Sequence, residues 1–438
     1  MKRKLYDKLL AWKESPYRKP LIIKGARQVG KTYLAEEFGK KEYEDMIVLN
    51  CDKDKRIAGI FRSGFQTQKI ISDIEILTGK NIIPSKTLLF IDEAGDVPET
   101  ISSLKYFCED MPELHVAAAG SLLGISLRND ESYPVGKVNT LNIFPMSFSE
   151  FLLAKGRKGL HDVVSELAWD SMKAMNEDLT ELLRQYYFTG GMPEAVKKYV
   201  ETGDVAKVRE VQQEILRAYE FDVTKHTKVQ GEKIRQVWQS IPAQLARENK
   251  KFIFGAVRKG ARAATFEEAI QWLIDAGLVY KVARVSKPAA PLKFYADNNA
   301  FKLYVLDCGL LACMSEANPN QMLLGMTAFT EFKGSFTENF VIQQLKAAGC
   351  QSAYYYSKDN STMEVDFLFQ TDERVVPVEA KAEDNVKSHS LSNFVQNDFA
   401  EINLKGLRMS MKPYIDQGWM ENIPLYSAES YVKKQIEQ

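Results

Sequence analysis

The chain has 438 residues, too many for one hydrophobic core, so two to four domains are expected. Its 58 Lys and Arg balance 58 Asp and Glu, which excludes a global basic field, so any nucleic-acid surface has to be local. Met1 to Trp12 is charged, and no run approaches the roughly eighteen apolar residues a membrane helix needs, so neither a secreted nor a membrane-spanning chain is expected.

Taken in chain order, the first informative element is the apolar run Leu21-Ile22-Ile23. Gly25-Ala26-Arg27-Gln28-Val29-Gly30-Lys31-Thr32 follows it, and a helical pattern opens at Tyr33-Leu34. This is GxxxxGK[ST] between strand and helix. Such a loop turns its backbone N–H groups toward the phosphates of a nucleotide, the helix N-terminus adds partial positive charge, and the Lys reaches the outer phosphates. Glycine serves where a Cβ would block the backbone's approach.

Met46 to Asn50 reads as a second strand, and Thr87 to Ile91 as a strand buried on both faces that ends in Asp92-Glu93. Asp92 is placed to hold Mg²⁺ with the Thr32 hydroxyl, and Glu93 to orient an attacking water. His115 to Ala119 is a fourth strand, and Val138 to Phe144 a fifth. Helices between them give a doubly wound parallel sheet. Ser121, just past the fourth strand, is either a γ-phosphate sensor or the cap of the next turn.

From Phe144-Pro145-Met146-Ser147 a helical region runs to about Lys228, suited to a lid, with Gly190-Gly191-Met192-Pro193 ending one helix and opening another. Gly231 to Pro291 then gives helical patterns, a third helix from Thr265 to Ala276, and a hairpin formed by Leu278–Val282 and Leu292–Tyr295. That is the pattern of a winged helix. Ser240 to Lys293 holds ten basic and four acidic residues, a net of +6, including Lys250, Lys251, Arg258, Lys259, Arg262, Lys281, Arg284, Lys287 and Lys293. The third helix itself carries Glu267, Glu268 and Asp275, which opposes phosphate contact. DNA contact by wing and flanks, or packing against a protein, both fit.

Met363 to Phe369 alternates like a half-buried strand, and Val375 to Lys381 is its return. A turn centred between Asp372 and Glu373 sets Asp366 opposite Glu379, and a period of two puts Glu379 and Lys381 on one face. Two acids and a lysine can hold a second divalent metal, with Glu338 on the helical pattern Phe336 to Leu345 as a further ligand. They can equally be solvent-facing charges. The five cysteines (51, 108, 308, 313, 350) are scattered, and with four His and no CxxC they suggest reduced thiols in a cytoplasm and no structural zinc.

These stretches together resemble the prokaryotic AAA-family ATPases that carry a C-terminal domain of unknown function of PD-(D/E)xK nuclease-like type. The likeness rests on residues 25–32, 88–95, 144–152, 187–196, 240–252, 269–282, 334–341 and 364–382. It implies an AAA-type P-loop core over residues 1–150, a helical lid over 151–230, a winged helix over 231–300 and an α/β restriction-endonuclease-like domain over 301–438. By the same resemblance Gly25, Gly30, Lys31 and Thr32 bind ATP–Mg²⁺, Asp92 and Glu93 are the metal-binding and hydrolytic acids, and Glu338, Asp366, Glu379 and Lys381 fall on the nuclease-like motif. Gly136-Lys137 departs from the Gly-Arg pair of many relatives, which leaves the arginine finger unassigned, with Arg128 a candidate. Two functions are expected: an ATPase that controls a metal-dependent nuclease acting on DNA, or a nucleotide-dependent switch that binds a partner protein through an inactive C-terminal domain. Either is compatible with a homo-oligomer.

Overall fold

The computed structural model describes residues 2–121, 134–224, 228–247, 250–324, 333–358, 363–382 and 388–437. They fall into two compact units, Lys2–Phe144 with Asp275–Leu278, and Pro145–Ile274 with Val279–Gln438.

The first unit is built on five strands, β1 (Leu21–Lys24), β2 (Asp45–Asn50), β3 (Thr87–Asp92), β4 (His115–Gly120) and β5 (Asn139–Asn142). Their order across the sheet is β2-β3-β4-β1-β5. Every pairing is parallel, as the alternation of strand and helix in the sequence requires. Residues of β3 and β4 are buried throughout, which is why both read as unbroken apolar runs. Ile70 and Ile74, one turn apart on helix Thr67–Thr78, and Ile101, Leu104 and Phe107 on helix Pro98–Asp110 close over Ile22, Leu89, Ile91 and Val116. Because parallel strands all end on one edge, Lys24, Asn50, Asp92 and Gly120 arrive together where the loops can build a site.

The second unit opens with helices Phe148–Ala154, Lys158–Ser165, Trp169–Ala174, Asn176–Thr189, Pro193–Thr202 and Val205–Thr224. An eight-stranded mixed sheet follows, from β6 (Val279–Val285), β7 (Ala296–Val305), β8 (Tyr354–Ser357), β9 (Glu364–Gln370), β10 (Val375–Ala380), β11 (Gly406–Ser410), β12 (Ile415–Asp416) and β13 (Met420–Pro424). Its order is β12-β13-β11-β10-β9-β8-β6-β7.

The expected hairpin needs correction. Leu292–Tyr295 is a 3₁₀ turn, and the return strand of the hairpin is Ala296–Val305. That hairpin is not a separate wing, since β6 also pairs in parallel with β8, so that the hairpin forms one end of the eight-stranded sheet with β7 at its edge. A boundary at 300/301 would cut β7. The helices assigned to a lid group with this second unit as well. Phe148 N–H donates to Gln344 Oε1 at 3.0 Å, Tyr426 OH donates to Asn176 Oδ1 at 3.0 Å, and Trp169 stacks on Tyr414 with centroids 4.3 Å apart.

A buried polar hub explains the motifs around 144–152, 187–196 and 334–341. On helix Lys333–Ala347 residues from Ser335 to Leu345 are buried, polar ones included. Each long amide finds a backbone to satisfy: Asn339 bridges Val305 N–H and C=O, Gln343 accepts from Cys308 N–H, and Gln344 holds Phe148. Asp307 accepts from Gly191 N–H at 2.6 Å and from Gln343 at 3.0 Å. A Cβ at Gly190 would lie 2.0 Å from Asp307 Oδ1 and one at Gly191 2.0 Å from Met146 O, so only glycine fits that corner. Among the described residues no helix is long and apolar enough to cross a membrane.

Candidate functional site

The glycine loop joins β1 to helix Lys31–Glu42 at the carboxyl edge of the first sheet. A Cβ at Gly25 would stand 2.4 Å from Ile143 O, and Gly30 caps the helix at φ 95°, so both glycines answer a steric demand. Gln28 between them also takes a positive φ, 67°. Ala26 and Val29 are buried and seat the loop on the sheet. Lys31, 5% exposed, donates to Gly25 O at 3.0 Å and Ala26 O at 2.7 Å, and its Nζ is 3.5 Å from Ser121 Oγ.

Thr32 Oγ1 donates to both Asp92 oxygens, at 3.2 and 3.1 Å. Burial first, and then the neighbouring Glu93 charge, raise the Asp92 carboxyl, against the lowering effect of Thr32 and Lys31. The strand end is therefore an acidic pair, Asp92 buried and Glu93 half-buried, that a divalent cation would stabilise. Glu93 occupies the left-handed region at φ 48°. Its carboxylate accepts from Ser121 Oγ at 3.2 Å and Ser121 N–H at 3.3 Å. The structure thus brings Lys31, Thr32, Asp92, Glu93 and Ser121 together. Ser121 touches the acid and the lysine at once.

Sequence reasoning missed two residues here. Asn50, at the end of β2, donates to Asp92 Oδ2 at 3.4 Å, and its place at the sheet's carboxyl edge was the available signal. Arg3, 5% exposed, donates to Val29 O at 2.8 Å and Phe144 O at 2.7 Å, and nothing local in the sequence marks it. Lys137, standing where an arginine was sought, pairs with Glu109 at 2.9 Å, and Arg128 lies outside the described residues.

The second constellation lies in the second unit. The β9–β10 register runs as the turn position requires, Val375 opposite Gln370 and Val378 opposite Phe367. Asp366 Oδ2 accepts from Ala380 N–H at 2.8 Å, and Lys381 pairs with Glu379 at 3.1 Å. Glu379 Oε2 is buried with no hydrogen-bond partner among the described residues.

Glu338 is held differently from expectation. Lys250 donates to its Oε1, Tyr304 OH donates to Oε2 at 2.7 Å, and Lys302 Nζ lies 3.7 Å away. Lys302, fully buried on β7, also reaches Glu364 at 2.5 Å. Burial would raise the Glu338 carboxyl, but Lys250 and Lys302 outweigh it and hold it low. Asp366 moves the other way, raised by burial and then by the Glu338 charge. Three cations thus pair with three of the four acids, while Asp366 is held by a backbone N–H, and among the described residues no three His, Cys, Asp or Glu side chains stand ready to grip a metal. Glu338, expected as a further metal ligand, stands in the structure against two ammonium groups and the Tyr304 hydroxyl. Lys250, one of the basic residues read from sequence as flanking the third helix or lying on the wing, is an inner one, its side chain 14% exposed. On the far side Arg408, paired in register with Glu379, is buried against Asn422 and Ser388.

Residues 17–152 match a family model described as AAA domain, 180–321 match Domain of unknown function (DUF8612), and 333–425 match Domain of unknown function (DUF4143). No curated protein matches the chain. Among solved structures, the Walker-type ATPase PABY2304 of Pyrococcus abyssi aligns with 14% identity and a TM-score of 0.44, covering 72% of this chain and 95% of that one. The ORC1 protein of Aeropyrum pernix, solved in complex with DNA, aligns with 11% identity and a TM-score of 0.31 over 72% and 91%. The RuvB Holliday junction branch migration motor of Thermotoga maritima aligns with 18% identity and a TM-score of 0.29 over 64% and 89%. At these scores the structural likenesses carry no functional argument. The family match and the loop geometry together make residues 17–152 a P-loop ATPase domain of the AAA type.

Proposed function

We propose that the chain binds and hydrolyses ATP with Mg²⁺ and that its nucleotide state governs a nuclease-like second unit acting on DNA. The observation that carries the reading is the convergence of Lys31, Thr32, Asp92, Glu93 and Ser121 on the glycine loop. The backbone of Gly25, Ala26, Arg27, Gln28, Val29 and Gly30 cradles the phosphates, and Lys31 leaves the loop carbonyls for the outer phosphate oxygens. Thr32 and Asp92 would hold Mg²⁺, which supplies charge neutralisation for the phosphates. Glu93 orients the attacking water, and Ser121 sets the position of Glu93. AAA-type sites usually take an arginine from a neighbouring subunit, so activity is expected in a homo-oligomer. The five free cysteines, four of them buried, support a reducing, cytoplasmic setting.

Phosphate release from ATP, measured for the wild type and Glu93→Gln, tests the first half. Glu93→Gln should retain nucleotide binding while turnover drops about a hundredfold or more. A variant that hydrolyses ATP like the wild type rejects the assignment. Glu379→Ala and Lys381→Ala test the second half with DNA, Mn²⁺ and ATP, where cleavage unchanged in both removes the nuclease reading.

A second reading is favoured by one observation, the occupation of Glu338 by Lys250, Lys302 and Tyr304. A set of acids already neutralised by lysines suits a structural core, with the unit binding a partner protein and performing no cleavage. Absence of cleavage in every DNA form, together with nucleotide-dependent capture of a defined protein, would select it.

A further inference from the structure

We infer that Arg3 is a positioning residue for the phosphate cradle, aiming the Gly30 amide at the nucleotide. The inference rests on the nucleotide-binding reading above and goes beyond it by assigning a residue outside the loop motif.

The loop is supported from below at both ends by one short stretch, Ile143-Phe144. Its first glycine lies against Ile143 O, where a Cβ would come within 2.4 Å. Its far end, Val29, is fixed by Arg3, whose guanidinium donates to Val29 O at 2.8 Å through one nitrogen and to Phe144 O at 2.7 Å through the other. Ile143 is itself tied to the sheet, donating to Lys24 O at 2.8 Å. Arg3 therefore braces the end of the loop against the end of β5.

Peptide geometry turns this brace into a function. Across a trans peptide the C=O and the following N–H point in opposite directions, and the Val29–Gly30 bond is trans. Drawing Val29 O down onto a buried guanidinium therefore aims Gly30 N–H upward, into the cradle. Gly30 stands at φ 95° before Lys31, the point where the loop becomes a helix and its free N–H groups begin. A cationic donor on the carbonyl also polarises that peptide, which strengthens its N–H as a donor to phosphate. Lysine could keep the charge, but it lacks the fixed fork that spans two carbonyls.

The test uses the full-length chain as wild type, Arg3→Lys and Arg3→Met. ATP hydrolysis gives KM and kcat, and a fluorescent ATP analogue gives the dissociation constant. Loss of the aimed donor should raise KM and the dissociation constant about tenfold in both variants, with kcat within about twofold because Asp92 and Glu93 are untouched. A brace needed only for folding would show the opposite split, a lower apparent kcat from fewer competent molecules at an unchanged KM. Should Arg3→Met fail to fold, Arg3→Lys, which keeps the buried charge, carries the measurement. Affinity and KM equal to wild type in Arg3→Lys overturn the inference while leaving the nucleotide reading intact. A wild type that takes up no nucleotide overturns both.

Discussion

Glu93 sits at φ 48°, a left-handed backbone that costs a non-glycine residue about 1 kcal/mol and persists only where its surroundings enforce it. Ser121 supplies part of that enforcement by donating twice to the carboxylate. Replacing Ser121 with Ala removes the hydroxyl bond and keeps the backbone one. Steady-state hydrolysis by Ser121→Ala should fall about tenfold, while the affinity for a fluorescent ATP analogue stays within about twofold. Equal losses in both would make Ser121 a phosphate ligand instead. In the second unit Lys302 gives the opposite lesson, because its ammonium is wholly buried between Glu338 and Glu364. Lys302→Met leaves two acids facing each other in a low-dielectric site and should cost about 3–5 kcal/mol in urea unfolding. Lys381→Met, at a side chain 37% exposed but paired with a Glu379 only 6% exposed, should cost less, about 1–3 kcal/mol.

Elements whose signal is local were legible, and elements defined by distant partners were not. The five strands of the first sheet, the glycine loop and the acids of β3 all follow from runs a few residues long. The β9–β10 register followed from the turn position alone, and it put Asp366 beside the Glu379 segment as expected. The return strand Ala296–Val305 was missed because a charged Lys302 interrupts its apolar pattern, and only Glu338, 36 positions later in the chain, and Glu364 explain that lysine. Strand β4 opens with another residue of this kind. His115 is buried, its Nδ1 lies 2.6 Å from Tyr43 OH, and Trp12 meets its ring edge-on. Burial, and then the charges of Arg18 and Lys13, lower its pKa to about 4. The folded form thus binds fewer protons than the unfolded chain, where histidine titrates near 6.5. The stability His115 contributes is full above about 6.5 and is lost as pH falls from there toward 4, by at most about 3 kcal/mol. Urea midpoints of wild type and His115→Gln measured from pH 7.5 to 4.5 should converge as pH falls. Parallel curves would show that the imidazole does not stay neutral.

For the molecule as a whole, zero formal charge means that any contact with DNA would fall to a local basic stretch such as that between Ser240 and Lys293. Its ten cations are not all available. Lys250 is committed to Glu338, Arg284 pairs with Asp297 at 3.1 Å, and Lys281 lies over the Phe301 ring at 4.5 Å. Ten less these three leaves seven at the most, so binding through this stretch releases no more than the counterions of about seven phosphates. The slope of log affinity against log salt is then no steeper than about −6. Anisotropy of labelled duplex DNA across a potassium chloride series measures it, and Lys287→Ala with Lys293→Ala, both on the exposed turn between β6 and β7, should flatten it by about 2. A slope near zero with weak binding would mean that the acidic face of helix Ala263–Asp275, with Glu267 and Glu268, repels phosphate more than its flanks attract it. The partner would then be a protein, and the lysine-paired Glu364 of β9 and Glu379 of β10 would belong to the fold and not to catalysis.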